Sequence, residues 1–362
     1  MKKNNFDLIL FISVILISIF GVIMIYSSSS IWAEYKFDDQ FRYLKLQSLF
    51  LFIGIILMYI ISKIPYKIYL DKANIILFVC FFLLVLVLIP GIGTVRNGSR
   101  SWFGIGGLGI QPSEFMKLAL IIFTSKYLYK NDKNNKTIKK DILPILLITL
   151  ITFGLIMLQP DFGTGVILLM SIVALLFISG LKLKFFIITG LFGLLGAMIL
   201  IIIAPYRFQR ILSFINPWLD PLGSGFQAIQ SLFAIGPGGL LGLGLGNSIQ
   251  KHFYLPEPQT DFIFAIISEE LGFLGIVIVA SLFLTIIYRG INISLNSKDL
   301  FAKYLSFGIT FQLAFQAILN LMVVVSLIPI TGVTLPFLSY GGSSLLITLC
   351  GMGILLNISK NK

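Results

Sequence analysis

Long apolar runs alternate with short polar stretches along the whole chain, at about 8–27, 46–62, 74–90, 112–129, 142–159, 162–180, 185–204, 262–288, 304–328 and 342–357. A helix crossing a bilayer needs roughly 20 predominantly apolar residues. The pattern therefore predicts an all-α polytopic membrane protein of about ten transmembrane helices, read as one integral membrane domain over 1–362. An even number of spans puts both termini on one side. The first run follows Lys2 and Lys3 and ends in the serines Ser27 to Ser30. It is too long for the apolar core of a signal peptide and no A-x-A site follows, so it reads as an uncleaved anchor. No internal repeat of fixed period is present, and the Asn- and Lys-rich stretch Lys130 to Lys140 reads as a solvated loop.

Three connecting segments, 91–111, 205–261 and 329–344, are rich in Gly, Pro and polar residues. The middle one is about 57 residues long, a length rarely left structureless unless it is functional. Within it, Phe208, Ile211, Leu212 and Ile215 are spaced against Arg207, Arg210 and Ser213, the pattern of a helix lying in the headgroup plane. A second such piece sets Phe226, Ile229 and Phe233 facing the membrane and Gln227, Gln230 and Ser231 facing away. The expectation is a long extracytoplasmic loop that roofs the bundle.

Composition agrees: 57% apolar and 12% charged residues leave too little polar surface for a water-soluble globule. Lys and Arg outnumber Asp and Glu by 27 to 15, and the placement of the cations explains the excess. Eighteen of them, from Lys2 and Lys3 through Lys63, the lysines of 126–140 and Arg289 to Lys362, lie on the side of the N-terminus. The other side holds eight, and Lys117 alone falls inside a span. By the positive-inside rule both termini are cytoplasmic, and the charge reports topology, with no nucleic-acid partner. Cys80 and Cys350 both sit in apolar runs and read as small buried hydrophobes, without disulfide or metal-ligand spacing.

Ionisable groups in or beside spans are costly, so each is a functional candidate. Glu114 and Lys117 share a helix face three residues apart, behind Pro112, either as a structural ion pair or lining a polar cavity. Asp161 sits in a very short turn between two spans, in place to cap the next helix. Asp261 follows two prolines and Thr260, which is read as the cap of a helix beginning at Asp261. Its carboxylate is either favoured by the helix dipole or a general base for a sugar hydroxyl. Glu269 and Glu270, two turns deeper, suit bonding between helices. His252, next to Lys251, reads as a surface residue, and Trp102, beside Arg100, as an interfacial aromatic. The G-x-G-x-x-G match at 104–109 lacks a preceding strand and a βαβ unit, so it is not a dinucleotide site.

Taken together, several blocks resemble the SEDS family of bacterial cell-wall proteins. They are Gly98-Ser99-Arg100-Ser101-Trp102, Gln111 to Lys117, Gln159 to Thr164, Gln227 to Ser231 with Gly236 to Gly239, Leu255-Pro256-Glu257 with Thr260 to Phe264, and Pro336 to Ser344. Gly244 to Lys251 and Thr331 to Pro336 look more like the FtsW and SpoVE branch than the RodA branch. The resemblance implies an inverting peptidoglycan glycosyltransferase that polymerises lipid II into β-1,4 strands, with undecaprenyl pyrophosphate as leaving group. It implies septal or spore-cortex synthesis in the bacterial cytoplasmic membrane, beside a class B penicillin-binding protein and other divisome or elongation proteins. Asp261 matches the family's essential aspartate. The candidates for contact with lipid II or the nascent glycan strand are Arg100, Trp102, Glu114, Lys117, Asp161, Arg207, Arg210, Glu257 and Ser339, the cations offering charge to the leaving group. A divalent cation, Mg or Mn, could share that task, although the sequence shows no cage for one. The alternative from another class is a lipid II flippase.

Overall fold

The computed structural model describes residues 6–96, 98–105, 108–131, 142–203 and 205–360. The loop read at Lys130 to Lys140 lies outside the described residues except at Lys130 and Asn131, as does the Gly106-Gly107 centre of the G-x-G-x-x-G match.

Every apolar run forms a helix. The order is α1 (Leu8–Phe37), α2 (Arg42–Lys63), α3 (Lys67–Leu86), β1 (Thr94–Arg96), β2 (Ser99–Ile105), β3 (Leu108–Ile110), α4 (Pro112–Lys130), α5 (Leu143–Met157), α6 (Phe162–Ile178) and α7 (Leu183–Ile203). It continues with α8 (Pro205–Ile215), α9 (Phe226–Ile235), α10 (Ile263–Leu295), α11 (Leu300–Val324) and α12 (Gly342–Ser359). Six of these helices, α1, α2, α3, α10, α11 and α12, are long and apolar enough to cross a membrane by length and composition alone. The spans α5 and α6 are shorter apolar helices, and α4 carries Glu114, Lys117, Lys126 and Lys130. α11 is the central post, packed against α4, α6, α9, α10 and α12. α7 stands at the edge with apolar side chains such as Phe192 and Ile202 exposed, as lipid-facing residues are.

Four sequence expectations need correction. The segment 91–111 is not simply a glycine-rich loop: β1, β2 and β3 form a small antiparallel sheet, pairing Val95 with Arg100 and Phe103 with Ile110. α1 does not stop at the serine run. It continues to Phe37 because Ser28 and Ser29 bond back to the helix carbonyl of Ile25, while Ser27 meets a buried partner on α10. α10 begins at Ile263, two residues after Asp261, with no side-chain cap, because the Thr260 hydroxyl is engaged by Glu257 and Asp261. α9 turns Ala228, Ile229, Ser231 and Ala234 inward, so Ser231, expected to face away, donates to Val324 O while Phe233 packs exposed beside Trp218. Small side chains on that face let α9 lie against α10 and α11.

α10 is broken. Gly272 sits at φ 61°, ψ −152°, inside an otherwise continuous helix. The N–H groups of Phe273 and Leu274, which would reach back to Glu269 and Glu270, donate to Gly239 O and Leu240 O. The carbonyls of Glu269 and Glu270 in turn accept from Leu243 and Gly244. The glycine run Gly236 to Gly246 thereby acquires its reason: a Cβ on Gly242 would stand 2.2 Å from Glu270 O, and one on Gly238 2.1 Å from Ser268 O. The carboxylates finish the seam. Glu269 accepts from the Ser248 hydroxyl and Ile249 N–H, and Glu270 accepts from Ser27 and from Lys251 Nζ at 3.0 Å. Lys251 is thus buried, whereas its neighbour His252 is exposed as expected.

The conformation at Gly272 is one that essentially only glycine adopts, and a Cβ there would lie 2.4 Å from Gly242 N. Gly272→Ala is expected to destabilise the fold by about 1–3 kcal/mol, read as an earlier thermal unfolding midpoint in detergent. An unchanged midpoint would show that the break is not the seam described.

Candidate active site

The N-terminal ends of α4, α6, α10 and α12 meet at one end of the bundle, and the segment 329–341 enters between them. Gly163 makes room for it, since a Cβ would approach within 2.4 Å of the Val333 side chain. Gln316 Nε2 donates to Thr334 O at 3.0 Å, and Asn320 Nδ2 donates to Val333 O at 2.7 Å. These amides, one helical turn apart on α11, fix the entering strand of chain. Gln47 on α2 holds its other limb, accepting from Gly341 N–H and donating to Ser339 O.

Two clusters of sequence-predicted residues flank this segment. In the first, Lys117 Nζ lies 2.9 Å from Glu114 Oε1 and 2.9 Å from Gln316 Oε1, with both charged side chains buried. Asp161 caps α6 through Thr164 N–H and accepts from Gln111 Nε2 at 3.0 Å. Burial pushes the Asp161 carboxyl above its ordinary range, Thr164 pulls it down, and the charges of Glu114 and Lys117 act on it with opposite signs. The ion pair expected from the sequence therefore exists, and it sits beside Asp161.

The second cluster surrounds Asp261. Its carbonyl accepts from Asn320 Nδ2 at 2.7 Å, its carboxylate accepts from the Thr260 hydroxyl at 2.9 Å, and the adjacent Gln259 O accepts from Tyr340 N–H at 2.8 Å. Burial raises the Asp261 carboxyl above the usual carboxylate range; Thr260 opposes that, Glu257 adds to it and Arg210 counters it. Arg210, exposed on α8, donates to Ile330 O at 3.0 Å, so the roof helix is tied to the entering segment. Glu257 is exposed with φ 45°, and its carbonyl closes the turn with Thr260.

Other candidates lie farther from these clusters or differently than expected. Arg100 and Trp102 are half-buried on β2, and it is Arg96 that stacks on the Trp102 ring at 5.2 Å. The sheet is anchored by Ser99, which donates to Gln159 O, and by Ser343, which donates to Gly109 O. Ser339 is buried, and its hydroxyl accepts from Leu335 N–H at 2.7 Å, so it closes a turn. Arg207 belongs to α8, but its side chain lies outside the described residues. Among the described residues no three His, Cys, Asp or Glu side chains converge to hold a metal ion.

Residues 7–362 match the family model FtsW/RodA/SpoVE, described as cell cycle protein. The chain belongs to this family. It is 52% identical over 359 residues to stage V sporulation protein E of Bacillus subtilis, covering 99% of this chain and 98% of that protein. It is 41% identical over 358 residues to a probable peptidoglycan glycosyltransferase FtsW of a Geobacter species, covering 99% and 98%. Among solved structures, a chain from work on coordination of polymerization and crosslinking by a peptidoglycan synthase complex superposes with a TM-score of 0.79 at 31% identity, over 98% of each chain. Thermus thermophilus RodA superposes with a TM-score of 0.72 at 29% identity, over 98% of this chain and 97% of that one.

In this FtsW/RodA/SpoVE chain, sequence reasoning missed Gln111, Gln316, Asn320 and Thr334, which join the clusters. A signal existed: Gln312, Gln316 and Asn320 recur every four residues in an apolar span, and polar groups on one face of a buried helix need partners. The contact of Lys251 with Glu270 had none, being non-local.

If Glu114 and Lys117 were only a structural pair, Glu114→Lys combined with Lys117→Glu would restore most of what either reversal loses. Gln316 Oε1 accepts from Lys117, and the Lys117 charge offsets that of Asp161, so the swap aims a carboxylate at an acceptor and removes the offset. The swapped protein is expected to lose about 3–5 kcal/mol of stability, as for a stranded buried charge, measured by thermal unfolding. Parental stability would identify the pair as an isolated bridge.

Proposed function

We infer that this chain is an inverting peptidoglycan glycosyltransferase that polymerises lipid II outside the cytoplasmic membrane. Family membership supports the reaction class, and the observation that carries the mechanism is Asp261, half-buried at the end of the bundle with its backbone carbonyl held by Asn320. In this reading the acceptor 4-hydroxyl gives its proton to Asp261 while its oxygen attacks the anomeric carbon of the donor. The bond to undecaprenyl pyrophosphate breaks and the pyrophosphate leaves with the bonding electrons. One base suffices, because an α-linked donor yields a β-linked product by a single inversion. Arg210 beside Asp261, with Arg100, Arg207 and Lys117 in support, supplies positive charge for the leaving group. Trp102, Glu114, Asp161, Glu257 and Ser339 complete the proposed substrate region, Ser339 by shaping its wall.

The lipid tail stays in the bilayer while the sugar reaches water, and a cleft at one end of the bundle under α8 and α9 serves both. A flippase would need a polar path through the bundle, whereas both clusters collect at one end. We place both termini in the cytoplasm by the cation asymmetry, and the protein at septal or spore-cortex synthesis, beside a class B penicillin-binding protein and divisome or elongation partners.

Asp261→Asn is expected to cut glycan polymerisation from purified lipid II at least about 100-fold, the usual worth of a general base. The variant should stay folded. A carboxyl with a raised folded-state pKa contributes stability present below its unfolded value and lost as pH rises through its folded value, so the neutral amide costs nothing at pH 7. The parental enzyme should accordingly lose activity on acidification at a pH above the ordinary carboxylate range of about 4. Near-parental polymerisation by Asp261→Asn would remove the base.

Topology has its own check. In a background lacking Cys80 and Cys350, Ser224→Cys should react with an impermeant thiol reagent in intact spheroplasts and Lys298→Cys should not. The reverse pattern would invert the assignment.

A further inference from the structure

α11 carries three side-chain amides in an apolar environment, and Asn320 is the most deeply placed, fully buried. Its amide nitrogen has two hydrogens, and both are used: one goes to Asp261 O and one to Val333 O, each at 2.7 Å. The two carbonyls fix its orientation, because an amide oxygen cannot face them. Its own oxygen is buried without a hydrogen-bond partner among the described residues. An unpaired buried acceptor costs free energy, so the site does not maximise stability. What it achieves is to join two pieces of chain, the 255–261 loop and the 331–335 segment, at one point of a rigid helix. One turn away Gln316 links Lys117 to Thr334 of the same segment.

We propose that Asn320 is a positioning residue for the glycosyl transfer, holding Asp261 through its backbone so that the carboxylate is presented to the acceptor hydroxyl at a fixed offset from the Lys117 cluster. The inference rests on Asp261 as the base. Holding the carbonyl fixes the backbone of the base without adding a further donor to the carboxylate beside Thr260, whose bond is to Oδ1. The carboxylate's surroundings are Thr260 and Glu257 on its own loop and Arg210 from α8, with Lys117 and Glu114 reached only across Gln316. Freeing the backbone lets the carboxyl move out of its half-buried position.

The test uses the full-length protein, co-purified with a class B penicillin-binding protein, and measures kcat, KM for lipid II and the acid limb of the activity profile. Asn320→Leu removes both donors without adding charge. It should lower kcat about 10- to 100-fold, the scale of a misplaced reacting group, leave KM within about twofold, and move the acid limb to lower pH as Asp261 becomes hydrated. The nearly isosteric Asn320→Asp should also lower kcat, but it should move the acid limb to higher pH, because a second carboxyl faces the loop. The opposite shifts are what a merely structural role would not produce. The folded fraction, from size-exclusion chromatography and thermal unfolding, normalises each rate, and Asn320→Asp carries the test alone if the apolar variant does not fold. A folded variant with parental kcat and an unmoved acid limb overturns the proposal, as does a raised KM at parental kcat. An active Asp261→Asn would sink the reading of the base itself. An inactive Asp261→Asn beside unaffected Asn320 variants would sink only this inference.

Discussion

Backbone N–H and C=O groups at membrane depth must be paired within the protein, and at Gly272 the chain breaks a helix where water cannot make good the loss. The break is possible because the glycine-rich turn at 238–244 takes both freed donors and both freed acceptors of α10. That exchange fixes more than the helix. It joins the roof loop to the first two turns of α10 as one body, and the side chains of Glu269 and Glu270 extend the join to Ser248 and Lys251. From there Leu255 N–H donates to Gln250 O, and the chain runs directly into the 255–261 turn. The position of Asp261 is therefore inherited from a main-chain repair seam that begins at Glu269 on α10 and at Gly244 on the loop.

The other side of the cleft is built on the same constraint with different means. The segment 329–341 has no regular ladder, so side-chain amides stand in for one: Gln316 and Asn320 from α11, Gln47 from α2 and the Ser339 hydroxyl. Each bonds backbone of the segment, and Gln316 alone also reaches a charge, accepting from Lys117 Nζ. Charge is concentrated in a few groups, Glu114 with Lys117, Asp161, and Asp261 with Arg210 nearby. Polar side chains that satisfy main chain are inexpensive in a dry interior, whereas each charge must have a partner. The division of labour lets neutral side chains carry most of the frame and confines charge to the two clusters.

The spans were legible because a bilayer imposes a length and a composition that no other environment demands together, and all ten runs became helices. α8 was equally legible, since its apolar and basic residues separate cleanly on a helical wheel. The small sheet was not, because strands of three and seven residues interrupted by glycine carry too few alternations to register. The extent of α1 was misread at Ser27 to Ser30, where serines that bond back to helix carbonyls look like a terminator. Within the site, Glu114 with Lys117 and the capping role of Asp161 followed from local spacing. Lys251 with Glu270, and Asn320 with Asp261, join residues 19 and 59 positions apart. Only the fold brings them together, so no local pattern announces them.

Helix ends contribute as well. Glu114 lies in the first turn of α4, Asp161 caps α6 and Asp261 precedes α10 by two residues, so three carboxylates stand at three helix N-termini. The positive end of a helix stabilises an anion only within about its first turn. It therefore favours the ionised forms of Asp161 and Asp261 while burial opposes them, and at both burial is the larger effect. The same ends, with that of α12, present partial positive charge to the end of the bundle that the segment 329–341 enters. Arg210 and Lys117 add full positive charges there, so the carboxylates at these helix ends stand in a field that offsets their own charge.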